Sequence, residues 1–107
     1  MELDEFLGSL KDDAAPGQAS PLLKALWYEA RGDWDEAHRI AQSDKTSEAA
    51  WVHAYLHRVE GDSGNAAYWY RRAGKEVSTQ SLSDEWTSIV ESFFVSGRSD
   101  QTGRPGA

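Results

Sequence analysis

Ala25-Leu26-Trp27-Tyr28-Glu29-Ala30-Arg31-Gly32-Asp33-Trp34-Asp35-Glu36-Ala37 can be laid on Ala54-Tyr55-Leu56-His57-Arg58-Val59-Glu60-Gly61-Asp62-Ser63-Gly64-Asn65-Ala66, and this pairing decides the fold. Ala25 falls on Ala54, Gly32 on Gly61, Asp33 on Asp62 and Ala37 on Ala66. An alanine on each helix lets two helices approach closely. A Gly-Asp pair ends one helix and caps the next, because glycine accepts the turn and aspartate accepts a free backbone N–H. The stretch therefore reads as two helix hairpins in tandem, the second offset from the first by 29 residues.

The flanking signals extend this reading. Ser20-Pro21 starts the first helix of the first hairpin, which carries Leu22, Leu23, Leu26, Trp27 and Ala30 and stops near Gly32. Asp33 caps its partner, with Glu36 completing a capping-box-like pair. Ser47 opens the next helix, carrying Ala50, Trp51, Ala54, Tyr55 and Val59 to about Gly61. Asp62 or Ser63 caps the last helix of the pair, which ends at Gly74. Leu3, Phe6, Leu7 and Leu10 predict a short amphipathic helix before the hairpins. Trp86, Ile89, Val90, Phe93 and Phe94 predict one after them, capped by Ser83 or Ser81. No segment alternates with period two, so no sheet is expected. The expected architecture is all-α: two hairpins over a repeat core of 21–75, flanked by N-terminal and C-terminal capping helices in one domain of 1–97. The polar run 98–107 has nothing to bury and is expected to be disordered.

Composition narrows the options for function. The chain has 107 residues and no cysteine, which excludes disulfides, thiolate metal sites and a cysteine nucleophile. Five Trp, four Tyr and three Phe supply most of the core material, and each Trp falls on an apolar stripe, so core rather than a ligand cleft is their expected role. A net charge of −7 argues against nucleic acid or an anionic membrane as partner. No apolar run reaches the roughly 20 residues of a membrane span. The acidic N-terminus lacks signal-peptide features, so a cytoplasmic location is expected.

The hairpins resemble the tetratricopeptide and Sel1-like families. Ala25, Tyr28, Gly32, Trp34 and Ala37 fall on tetratricopeptide positions in the first hairpin, and Ala54, Gly61, Ala66, Tyr70 and Ala73 in the second. Ala66 through Gly74 looks like the second helix of a Sel1-like repeat. The offset of 29 departs from the family's period of about 34, and two hairpins are fewer than the three repeats a stable array usually needs. The resemblance implies a protein or peptide interaction module. Two hairpins with apolar ends also imply self-association. The block Trp51 to Lys75 resembles a segment of small uncharacterised bacterial proteins.

That same block concentrates the chemistry. His53 and His57 lie four apart on one helix face, a spacing that zinc, nickel or copper can use; a third ligand would come from Asp62 or His38. The competing reading spends these histidines on hydrogen bonds inside the hairpin. Arg58, Arg71, Arg72 and Lys75 against Glu60 and Asp62 make residues 53–75 a basic island in an acidic chain. With Tyr68 and the free N–H groups at Gly64-Asn65, they could hold a small anion. The competing reading stacks the arginines on aromatic rings and pairs them with neighbouring acids. No phosphate loop, nucleophile elbow or dinucleotide fingerprint is present, so no catalytic residue, enzyme activity or cofactor is expected. The leading expectation is an interaction module. The second is a small-anion or metal-binding protein using the His53, His57 and Arg71 face.

Overall fold

The computed structural model describes residues 1–102, and the side chains of 1–94. Six α-helices follow in order: α1 (Leu3–Gly8), α2 (Pro21–Ala30), α3 (Trp34–Gln42), α4 (Ser47–Glu60), α5 (Ser63–Ala73) and α6 (Leu82–Thr102). A 3₁₀ turn, Ser9–Lys11, follows α1. Among the described residues there is no strand. Helices α2 and α3 form one hairpin, α4 and α5 the other, and α3 packs on α4 to join them. The fold is the all-α arrangement of two hairpins flanked by terminal helices. The final helix continues past Gly97 to Thr102, and the remainder of the tail expected to be disordered, 103–107, lies outside the described residues.

One turn recurs three times and explains the hairpins. Gly32, Gly61 and Gly74 have φ of 89°, 87° and 74°, the left-handed region where a side chain is strained. After each, the next N–H reaches back to a helix carbonyl: Asp33 to Tyr28 at 2.8 Å, Asp62 to His57 at 2.8 Å and Lys75 to Tyr70 at 2.9 Å. Asp33 and Asp62 then accept from the N–H groups of Glu36 and Asn65, both at 3.1 Å, which caps α3 and α5.

Helix α4 opens at Ser47 as expected, and its cap is Thr46, whose hydroxyl accepts from the Ala49 N–H at 3.1 Å. One local expectation is corrected. Glu36 does not complete a capping box. The Asp33 N–H is already spent on Tyr28, and the Glu36 carboxylate turns to Arg39, at 2.9 and 2.6 Å.

Alanines set the helix spacing. Ala25, Ala37, Ala41, Ala49, Ala54 and Ala66 are buried, and Phe6, Leu22, Leu23, Leu26, Val52, Leu56, Ile89 and Val90 fill the space around them. The tryptophans are less simply core than expected. Trp27 is buried, but Trp34, Trp51, Trp69 and Trp86 are half-buried. Four of them tie one element to another through the indole N–H: Trp27 to the Ser9 carbonyl at 3.0 Å, Trp34 to Leu56 at 2.7 Å, Trp86 to Leu26 at 3.0 Å, and Trp51 to the Glu85 carboxylate at 3.0 Å.

Glu85 is the unexpected core residue, with no exposed surface. It sits one turn before Ile89 on the apolar stripe of α6. Its carboxylate accepts from Trp51 Nε1, from the Tyr70 hydroxyl at 2.6 Å and from Arg58 Nη1 at 2.6 Å. Arg58 also donates to the Gln80 carbonyl at 2.9 Å. A charge removed from water is tolerated only when donors replace the water, and here α4 and α5 supply all three. Burial, then the bond to Glu85, pushes the Tyr70 phenol above its ordinary range.

Glu85→Ala strips the partner from half-buried Arg58 and leaves the buried Tyr70 hydroxyl and the Trp51 indole without their acceptor, and is expected to lower unfolding free energy by about 3 kcal/mol in urea denaturation. Glu91→Ala, exposed on the same helix, is expected to change it by less than about 0.5 kcal/mol. Equal effects from the two would show that the buried pairing contributes little.

Candidate functional site

Helices α3 and α4 bring together all three histidines of the chain. His53 and His57 lie on α4 one turn apart, buried, with stacked rings 4.9 Å between centroids. His38 comes from α3, the other hairpin, because the small Ala37 and Ala41 let α3 settle against α4. His38 Nε2 and His53 Nε2 are 2.9 Å apart, so one donates to the other. One ligand nitrogen from each of the three imidazoles falls within 4.8 Å of the other two.

Aromatic rings wall the group. Trp34 stacks on His38 at 4.8 Å and 10°, one turn before it on α3. Trp69 of α5 stacks on His53 at 3.9 Å and 13°. On the open side, His57 Nδ1 donates to Glu60 Oε2 at 2.7 Å. In the neutral ring this bond places the hydrogen on Nδ1, which leaves Nε2 as the nitrogen with the lone pair. Glu60 and Asp62 also form a second group with His57, all within 4.8 Å. Asp62 is already engaged as the cap of α5, and its carboxyl is held below the usual range by the bond from the Asn65 backbone.

The environment disfavours charge on His53 and His38. Desolvation, then the neighbouring His38 and His57, pushes His53 down from 6.5 to about 4. Desolvation, then His57, also lowers His38, although Glu60 and Asp35 oppose the shift. An unprotonated imidazole is the form that binds metals.

The residues expected to form an anion pocket are used differently. Arg58 leaves the histidine face to pair with Glu85. Arg72 lies over Tyr68 and Trp69, at 5.9 and 5.6 Å from the ring centroids, and donates to the Tyr68 hydroxyl at 3.2 Å. Lys75 places its ammonium 4.1 Å from the Trp51 ring centroid. Arg71 is exposed on α5. The N–H of Asn65, expected to be open to a ligand, is taken by Asp62. Three of the four cations thus go to three separate places. The structure brings together His53, His57 and the third histidine named from sequence, His38. Glu60, one turn past His57 on the same helix, meets the His57 ring as single-helix spacing implies; Trp34 of α3 and Trp69 of α5 are the additions such spacing could not place.

No protein-family model, curated protein or solved structure matches this chain. No described helix is long and apolar enough to cross a membrane.

The depressed His53 value gives a signed pH dependence. Between 6.5 and about 4 the unfolded chain takes up a proton that folded His53 refuses. Its contribution to stability is therefore fully present above pH 6.5 and is lost as pH falls through that window. Urea midpoints measured across it are expected to fall less steeply for His53→Gln than for wild type. Parallel profiles would contradict the assignment.

Proposed function

We propose that this chain binds a divalent transition-metal ion through His38, His53 and His57. The observation that carries the reading is the convergence of three imidazoles from two hairpins. It displaces the interaction-module expectation, which rested on hairpin architecture without a chemical centre, in favour of the second one. Imidazole donors suit zinc, copper and nickel. Around a tetrahedral ion with bonds of about 2.0–2.1 Å, ligand nitrogens lie about 3.3 Å apart. The His38–His53 pair, now 2.9 Å apart, would open slightly, and the third nitrogen, within 4.8 Å, would close in. Glu60 supports the reading, because a metal-bound histidine commonly donates its other N–H to a carboxylate. Three protein ligands leave a fourth position for water or an exogenous ligand.

Calorimetric titration of metal-free protein with Zn²⁺, Ni²⁺ and Co²⁺ is expected to give one ion per chain. Co²⁺ should add the visible absorption of a nitrogen-ligated ion. At a free-ion concentration 100 times Kd, the folded state gains about 2.7 kcal/mol. His38→Ala should abolish tight binding while circular dichroism remains helical, and Glu60→Gln should weaken it roughly 10–100-fold. Unchanged affinity in His38→Ala would overturn the proposal.

A further inference from the structure

A second carboxylate, half-buried, stands apart from the histidines, and its surroundings differ from those of Glu85. Glu29, near the end of α2, is half-buried in a groove of about 430 Å³. Leu10, Ala30, Leu82 and Trp86 supply its apolar lining, with Tyr55 of α4 alongside Glu29. The volume falls within the roughly 300–1,000 Å³ of small-molecule sites. Glu85 has three donors, one of them a guanidinium; Glu29 has one, the Tyr55 hydroxyl at 3.3 Å, at the long end for an O–H···O bond. The nearest arginine in sequence, Arg31, is committed elsewhere. It donates to the carbonyls of Leu10 and Asp12 and covers the Trp27 ring. Among the described residues no cation pairs with Glu29. Desolvation raises the Glu29 carboxyl, which agrees with a charge that lacks compensation.

We infer that this groove binds an organic ammonium ion carried on an apolar body, with Glu29 as counter-ion and Leu10, Leu82 and Trp86 around the body. Charge complementarity selects the ammonium. An anion would meet Glu29, and a neutral apolar ligand would leave its carboxylate desolvated and unpaired. The aromatic rings of Tyr55 and Trp86 favour a cation further. Leu82, 39% exposed at the rim, is apolar surface that a bound ligand would cover. The inference is independent of the metal reading.

The test uses full-length protein with chelator present, so that failure of metal binding does not affect it. 2-Phenylethylammonium is titrated against its neutral isostere, 2-phenylethanol, and against spermidine, with amide shifts of α2, α4 and α6 recorded by NMR. The expected result is saturable binding of the aromatic amine, with the alcohol and spermidine each weaker by about tenfold or more. Glu29→Gln is expected to reduce amine affinity by about tenfold, as loss of a charge-assisted bond predicts. Equal binding of amine and alcohol, tighter binding of spermidine, or unchanged affinity in Glu29→Gln would each overturn the inference. The ligand comparison on wild-type protein decides the matter even where the variant fails to fold.

Discussion

A carboxylate inside a protein must find a donor for each bond it gave up to water, and Glu85 imposes that condition on half of this molecule. Its three donors come from α4 and α5, and the Nη2 of Arg58 donates to the Gln80 carbonyl in the linker before α6. Once these bonds are made, α6 cannot slide or rotate on the second hairpin without stranding a charge. The arrangement also assigns the faces of α4. Trp51 and Arg58 turn to α6, Ala54 turns to Ala66 and Tyr70 of α5, and His53 and His57 meet His38 of α3, with Trp69 of α5 stacked on His53. The central helix is buried along most of its length because each face has a different neighbour.

The two polar centres on α4 contrast in how they handle burial. At Glu85 the charge is kept and compensated. At the histidine group charge is avoided: three imidazoles share close space, and desolvation and mutual repulsion depress two of them. Tryptophan rings on both sides remove water without offering an acceptor. The His57–Glu60 edge provides a carboxylate acceptor, and in the neutral ring it fixes which nitrogen carries hydrogen. The result is a compact set of lone-pair donors at a helix crossing.

The hairpins were legible because their signals are local. Gly-Asp junctions and paired alanines act within a turn or two, and each produced the structure it implies. The His53–His57 pair was visible for the same local reason, as positions four apart share a face. Choosing His38 over Asp62 as third partner requires the register of α3 on α4, which no local pattern states. The dispersal of Arg58, Arg72 and Lys75 was hidden likewise, since their partners lie on other elements or in ring orientation. Glu85 did leave a trace: an acid in line with Ile89 and Phe93 interrupts an otherwise apolar stripe.

The histidine group lies between the hairpins rather than within one, because His38 belongs to α3 and the other two to α4. In tandem helical units, total stability divides into what each unit holds alone and what its boundary with the next contributes. Contacts inside a hairpin raise the first quantity. The His38–His53 bond, and any ligand spanning it, raises the second. The group therefore adds to the coupling of the two halves, beside the Trp34–Leu56 and Tyr55–Glu29 bonds that also cross the boundary.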